Sequence, residues 1–126
     1  MRMTRHVLMA DLRGDPAAID AYKAHHREVW PEVIRSLRQA GIREMEIYLL
    51  GRHLVMIVET DGSDLRRCFE THAASSPRVA EWEALMRGLQ QPPAGAAPGD
   101  WWAFMEPLFR LEPQADAPAT ARGARR

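Results

Sequence analysis

Residues 45–59 read Met-Glu-Ile-Tyr-Leu-Leu-Gly-Arg-His-Leu-Val-Met-Ile-Val-Glu. Residues 45–50 and 53–59 are rich in β-branched, aromatic and aliphatic side chains, and only Gly51-Arg52 separates them. Glycine at the first position of a two-residue loop is typical of a type II′ turn, whose twist matches that of the flanking strands. The stretch therefore predicts a β-hairpin in the middle of the chain.

The chain before the hairpin predicts a strand and an interrupted helix. Residues 6–12 are apolar on both faces for most of their length, as in a buried strand. Asp15-Pro16 predicts the N-cap and first residue of a helix that ends at about Gly41. Pro31 interrupts this helix, because proline lacks a backbone donor and disfavours helical geometry at Trp30. We expect two helical segments with a kink near Trp30.

The chain after the hairpin predicts two helices and a loop. Helical spacing returns over residues 63–72 and again over residues 76–86, where Ser76-Pro77 marks a start and Gly88 a stop. Residues 89–100 contain three prolines and two glycines, a composition typical of a loop.

Residues 101–111 predict the last strand, which Pro107 confines to a sheet edge or a bulge. The order is then β-α-β-β-α-β, which is the α+β pattern of ferredoxin-like folds. Residues 1–112 form one predicted domain. Residues 113–126, rich in Ala, Pro and Arg, are expected to be a disordered tail.

The third strand predicts how the domain assembles. Leu54, Met56 and Val58 occupy one face of this strand, while Val55 and Ile57 occupy the other. A sheet with helices on one side needs apolar residues on that side only. A second subunit would cover the other face, so we expect a homodimer; the alternative is a monomer shielded by the proline-rich loop.

Charge and cysteine content narrow the class of protein. Lys plus Arg equals Asp plus Glu at 17 each, so the chain lacks the basic surface that nucleic-acid or acidic-membrane partners require. The apolar runs are strand-length, and the N-terminal residues lack a signal-peptide pattern. Cys68 is the single cysteine, which excludes an internal disulfide. A cytoplasmic protein is expected.

The candidate chemistry lies on the first helix. Its apolar stripe comprises Ile19, Tyr22, His26, Val29, Val33 and Leu37. Tyr22 and His26 are four residues apart and therefore neighbours on this stripe. A histidine there is either a core residue bonded to a backbone carbonyl or an acid/base group in a pocket, since its unperturbed pKa is about 6.5. His25 falls off the stripe and is expected to be solvated.

Other candidate sites are weaker. A metal site from His25, His26 and Glu28 is disfavoured because adjacent residues point to different sides of a helix. Trp82, Trp101 and Trp102 lie in or beside the proline-rich loop; their rings suit the C–H faces of a sugar and equally suit a core. A phosphate loop, a Ser-His-Asp set and a nucleotide fingerprint are absent from the sequence, so the chemistry is expected to be modest.

The motifs resemble a known family. Residues 22–32 read Tyr-Lys-Ala-His-His-Arg-Glu-Val-Trp-Pro-Glu, residues 47–49 read Ile-Tyr-Leu, and residues 101–106 read Trp-Trp-Ala-Phe-Met-Glu. These runs resemble the L-rhamnose mutarotase family over roughly residues 4–111. The resemblance implies a dimeric α+β barrel of ferredoxin-like subunits that interconverts the α and β anomers of a 6-deoxy-L-hexose without a cofactor.

The resemblance also implies roles for individual residues. His26 matches the family's proton donor, Tyr22 matches a tyrosine that contacts the sugar, and Trp82 matches the first of two adjacent tryptophans in the site. Glu83 replaces the second tryptophan, and Met45 replaces a further site tyrosine on the second strand. Tyr48 is no substitute for that tyrosine, since three residues along a strand place it on the opposite face.

The sugar and two rival functions stay open. L-rhamnose is the first choice, but residues 90–102 resemble a branch of the family associated with L-fucose, so an L-fucose mutarotase is the alternative. From other classes come a non-catalytic dimeric barrel that binds a small molecule and a small oxygenase-type barrel.

Overall fold

The computed structural model describes residues 3–111, so the predicted tail lies outside the described residues. The elements in chain order are β1 (Thr4–Leu12), α1 (Pro16–Arg27), α2 (Pro31–Gln39), β2 (Ile42–Leu50), β3 (His53–Thr60), α3 (Leu65–Ala73), α4 (Pro77–Leu89), β4 (Gln90–Gln91) and β5 (Ala103–Phe104). Within these residues, none of the helices combines the length and apolar character that a membrane crossing requires.

The sheet is antiparallel and open, with strand order β2-β3-β1-β4, and β5 also pairs with β1. This is the predicted ferredoxin-like α+β topology, and it is confirmed. The fourth strand of the predicted sheet is divided between two short strands, β4 and β5, which both pair with β1. Gln90 of β4 pairs with Leu12, and Phe104 of β5 pairs with Leu8.

The prediction of one long strand over residues 101–111 is wrong. Only Ala103–Phe104 form strand, followed by a hydrogen bond from the Met105 N–H to the Val7 carbonyl. Pro107 has no N–H to continue the ladder. The predicted loop over residues 89–100 is also too long, because Leu89 ends α4 and Gln90–Gln91 form strand.

The hairpin and the helix boundaries follow the predicted turn and cap chemistry. Gly51 has φ 63°, while no non-glycine residue in the described range has positive φ, which is the type II′ pattern. The Asp15 carboxylate accepts a hydrogen bond from the Ala18 N–H at 3.1 Å and caps α1. Trp30 is extended, with φ −59° and ψ 134°, so the predicted kink before Pro31 is a complete break between two helices.

The core lies between the helices and one face of the sheet. Leu54, Met56 and Val58 of β3 are buried there, and they share one face of the strand as predicted. Val55 and Ile57 of β3 are half-buried on the opposite face, which the described helices leave uncovered.

Two glycines behave differently from each other at helix ends. Gly41, with φ 107°, follows α2 as predicted, and its amide is bonded to Arg38 O. The prediction that Gly88 terminates the helix is wrong. Gly88 lies inside α4, one residue before the helix ends at Leu89, and its φ is not positive.

This difference predicts opposite effects of alanine on stability. Gly41→Ala should lower the free energy of unfolding by about 1–2 kcal/mol, because alanine disfavours a left-handed backbone and its Cβ would lie 3.1 Å from Asp61 Oδ1. Gly88→Ala should raise it by about 0.5–1 kcal/mol, since alanine favours a helix and its Cβ would meet open space. Urea unfolding measures both; effects of equal sign would contradict the assignment.

Candidate active site

A cavity of about 800 Å³ lies between the sheet and the helix layer. Its volume is within the range of small-molecule sites. Leu8, Ile47 and Met56 of the sheet form its apolar floor. The helices contribute the predicted site residues to its wall, namely Tyr22, His26 and Trp82. The structure thus brings together the three residues that the sequence singled out.

His26 lies in the last turn of α1, half-buried against two aromatic rings. Its ring centroid is 4.2 Å from that of Tyr22 and 5.7 Å from that of Trp82. Its Nδ1 lies 2.9 Å from the carbonyl oxygen of Tyr22. Because a carbonyl only accepts, Nδ1 carries the proton. Nε2 then has a lone pair and makes no hydrogen bond to residues 3–111.

Burial lowers the pKa of His26 below its ordinary value of 6.5, and the nearby His25 lowers it further. The hydrogen bond to the Tyr22 carbonyl favours the charged form and opposes this shift, but desolvation is the larger effect. His26 is therefore a neutral imidazole at pH 7, with Nε2 able to accept a proton.

Tyr22 is fixed on the same wall as a neutral phenol. It is only 4% exposed, and burial raises the pKa of its hydroxyl to about 12, with a smaller contribution from the charge of Glu83. Gln90 Nε2 donates a hydrogen bond to Tyr22 Oη at 3.4 Å. The phenol thus keeps its own proton available for donation into the cavity.

Trp82 satisfies both sequence interpretations at once. It is buried in the core cluster of α1, α2 and α4, and it also lines the cavity. Its ring meets that of Trp30 edge-on at 5.1 Å, and Arg78 lies 3.5 Å from the centroid of Trp30. This stack holds Trp82 against His26.

The loop before β5 closes one side of the cavity. Trp101 and Trp102 line it, and Trp102 packs on the core clusters. The preceding Asp100 accepts two hydrogen bonds from Arg66 of α3, at 3.1 and 3.2 Å. This bidentate pair lowers the pKa of Asp100 and ties the loop to the helix side of the sheet.

The histidine beside His26 differs from the prediction. His25 is half-buried rather than fully solvated, because its ring contacts Trp82 edge-on at 6.0 Å. Within residues 3–111, no three His, Cys, Asp or Glu side chains form a group that could hold a metal ion.

Sequence reasoning missed two polar residues of the site, Gln90 and His72. Gln90 fell in a predicted loop, and its contact depends on β4 pairing with β1. His72 is 3% exposed and lines the cavity. It follows Leu65 and Cys68 on the buried stripe of α3, which is the same signal that identified His26.

The two positions that depart from the family pattern both line the cavity. Met45 faces it from β2, whereas Tyr48 is 55% exposed on the opposite face and is bonded to Glu46, as its spacing predicted. Glu83 lines it from α4, with Oε2 at 3.3 Å from His72 Nε2.

Comparisons with known proteins agree on one family. The model of the L-rhamnose mutarotase family matches residues 5–111. An L-fucose mutarotase of Xanthomonas campestris pv. campestris is 43% identical over 114 residues, which cover 88% of this chain and 90% of the relative. An L-rhamnose mutarotase of Acidiphilium cryptum is 30% identical over 112 residues, which cover 89% of this chain and 86% of that relative.

A solved structure agrees on the fold. An L-rhamnose mutarotase from Formosa agariphila superposes with a TM-score of 0.62 at 22% identity. The match covers 86% of this chain and 99% of the other.

Proposed function

Because the chain belongs to the L-rhamnose mutarotase family, we propose that it interconverts the α and β anomers of a 6-deoxy-L-hexose with His26 as the acid/base residue. It is an isomerase that acts on carbohydrates. The observation that carries the assignment of His26 is its hydrogen bonding: Nδ1 is bound to the Tyr22 carbonyl, which leaves Nε2 to exchange a proton in the cavity wall.

The lowered pKa of His26 sets the order of the proton transfers. The neutral imidazole takes the proton of the anomeric hydroxyl as the bond between C1 and the ring oxygen breaks, and the ring oxygen takes up a proton from solvent. Rotation about the C1–C2 bond then exposes the other face of the aldehyde. When the ring closes, the attacking hydroxyl releases its proton to solvent and His26 returns its proton to the new anomeric oxygen. The proton donor implied by the resemblance is therefore a base in the opening step and a donor in the closing step.

The neighbouring residues bind and orient the sugar. The Tyr22 hydroxyl donates a hydrogen bond to a sugar hydroxyl, because its oxygen already accepts a hydrogen bond from Gln90. Trp82 presents an apolar surface beside His26 that suits the C–H face of a pyranose. Trp101 and Trp102 close the cavity over it.

The sugar is L-rhamnose or L-fucose, and we expect both to be accepted. A relative named for L-fucose at 43% identity and a relative named for L-rhamnose at 30% support this range. A measurement of the anomer exchange rate distinguishes a mutarotase from a non-catalytic binding domain and from an oxygenase-type barrel, because neither of these accelerates the exchange. A cytoplasmic location stays a prediction from the single cysteine, Cys68, which is buried.

His26→Ala should slow catalysed anomer exchange by on the order of 10²–10⁴-fold, because it removes the acid/base group. His25→Ala is the matched control: His25 also contacts Trp82 but lies outside the cavity lining, so it should retain most activity. Saturation-transfer NMR of an equilibrated sugar measures the rates, and circular dichroism verifies the fold. Near-wild-type exchange by folded His26→Ala would remove His26 from the mechanism.

We also propose that the protein is a homodimer that joins the uncovered sheet faces. Val7, Met9, Val55 and Ile57 form a half-buried apolar strip in the centre of this face. The C-terminal end of the proline-rich loop does not cover this face, because Asp100 is hydrogen-bonded to α3 on the helix side of the sheet. A second copy offers the same apolar strip, so an isologous contact satisfies both faces.

The segment after β5 supports the same occupant. Residues 105–111 are exposed, with Leu108 at 95%, Phe109 at 71% and Leu111 at 83%. A run of apolar side chains this exposed is typical of a protein interaction surface. We expect this segment to pack on the partner subunit.

Ile57→Lys should convert the dimer to a folded monomer, because a charge in the centre of an apolar interface is costly to bury unpaired. In the monomer the lysine can extend into water. Thr71→Lys on the exposed surface of α3 is the control and should leave the dimer intact. Light scattering gives the masses; a parent protein that is monomeric at micromolar concentration would refute the interface.

A further inference from the structure

The cavity wall also carries a carboxyl group that is fixed in place. Glu83 lines the cavity from α4, and its Oε2 lies 3.3 Å from Nε2 of His72 on α3. His72 is only 3% exposed, and its Nδ1 lies 2.8 Å from Oγ of Ser36 on α2. Three helices thus hold one carboxyl group at the cavity wall.

This hydrogen-bond network leaves Glu83 with an acceptor to spare. A neutral His72 that accepts a hydrogen bond from the Ser36 hydroxyl at Nδ1 carries its proton on Nε2 and donates it to Glu83 Oε2. The other carboxylate oxygen, Oε1, makes no hydrogen bond to residues 3–111. Because both oxygens of a carboxylate accept hydrogen bonds, Glu83 can receive one more donor.

The spare acceptor is accessible to a ligand that lies against His26. The Glu83 side chain is 40% exposed and lines the cavity. Arg87, one turn further along α4, lies 5.6 Å from the ring centroid of Trp101 and forms no ion pair with Glu83 among the described residues. Burial is the main cause of the raised pKa of Tyr22, and the charge of Glu83 adds to it. Glu83 is therefore close to the ring that adjoins His26.

We propose that Glu83 is a specificity-determining residue, whose free oxygen accepts a hydrogen bond from a ring hydroxyl of the bound sugar. The proposal rests on the proposed function, because it concerns how the site of His26 selects its sugar. On α4, Trp82 contacts α1 beside His26, whereas Glu83 contacts α3. With the anomeric centre at His26, Glu83 contacts a hydroxyl on the part of the ring away from C1.

The two candidate sugars differ at the hydroxyls that such an acceptor would meet. The C2 hydroxyl is axial in L-rhamnose and equatorial in L-fucose, and the C4 hydroxyl is equatorial in L-rhamnose and axial in L-fucose. The C3 hydroxyl is equatorial in both. A fixed acceptor directed at C2 or C4 therefore binds the hydroxyl of one sugar better than that of the other. A site built to hydrogen-bond a hydroxyl discriminates more strongly than an apolar contact does.

The test measures kcat/KM for anomer exchange of L-rhamnose and L-fucose by the full chain and by its Glu83→Leu variant. Leucine removes the acceptor, so the ratio of the two values should change by about 10-fold or more, as for the loss of a hydrogen bond to a charged group. Glu83→Gln keeps the size and an oxygen for His72. It should shift the ratio in the same direction by less, and it replaces the leucine variant if that variant does not fold. Glu81→Leu on the exposed surface of α4 is the matched control and should leave the ratio unchanged.

Deoxy analogues that lack the hydroxyl at C2, C3 or C4 identify the contact. The analogue that lacks the hydroxyl bound by Glu83 should have the same kcat/KM with the wild-type protein and with Glu83→Leu, because the contact is already lost. The other analogues should show the full effect of the substitution. We expect the insensitive analogue to be the one that lacks the C2 or the C4 hydroxyl.

Three results would overturn the role of Glu83 and leave the proposed function intact. They are an unchanged sugar ratio in the folded Glu83 variants, an equal effect of Glu83→Leu on every analogue, and insensitivity of the C3 analogue, since the C3 hydroxyl does not distinguish the sugars. A wild-type protein that accelerates the exchange of neither sugar overturns both the proposed function and this role.

Discussion

Pro31 is the constraint that positions His26 in the cavity wall. Because proline cannot continue the hydrogen bonding of a helix and holds the preceding residue extended, α1 ends at Arg27 and α2 starts at Pro31. His26 therefore lies in the last turn of α1 and not in the middle of a continuous helix. From this position its ring lines the cavity. The same break leaves Trp30 outside both helices, where it packs on Trp82 and holds that ring against His26.

Desolvation disfavours the charged forms of the side chains in the cavity wall. It lowers the pKa of His26 and raises that of Tyr22, so both start neutral: one offers a lone pair and the other an O–H donor. The end of a helix normally favours a protonated histidine by about 0.3–1 kcal/mol. Burial outweighs that effect here, since the net shift of the His26 pKa is downward. Glu83, held by His72, adds a carboxyl group on the same wall.

The features predicted correctly from sequence are those set by local chemistry. The cap at Asp15, the break at Pro31 and the turn at Gly51 each follow from the conformational preferences of one or two residues. The stripe that contains Tyr22 and His26 follows from helical periodicity. Contacts between distant segments were not predictable in this way. Gln90 reaches Tyr22 because two residues pair with the edge of β1, and the Ser36, His72 and Glu83 network joins three helices across 47 positions of the chain. His72 carried the same periodic signal as His26, whereas Glu83 could be interpreted only as a departure from a family pattern.

The dependence of catalysed anomer exchange on pH tests the central claim, that a neutral His26 in this cavity opens the sugar ring. Exchange of L-rhamnose and L-fucose by the wild-type protein would be measured by saturation-transfer NMR between about pH 4.5 and 8, with the uncatalysed rate subtracted. Since His26 must be neutral to accept the anomeric proton and burial lowers its pKa, the midpoint of the acid-side decline in kcat/KM should lie below pH 6.5. The decline reflects protonation of the imidazole, which removes the lone pair on Nε2. Absence of catalysed exchange for both sugars, or a decline with its midpoint at or above pH 6.5, would contradict the account.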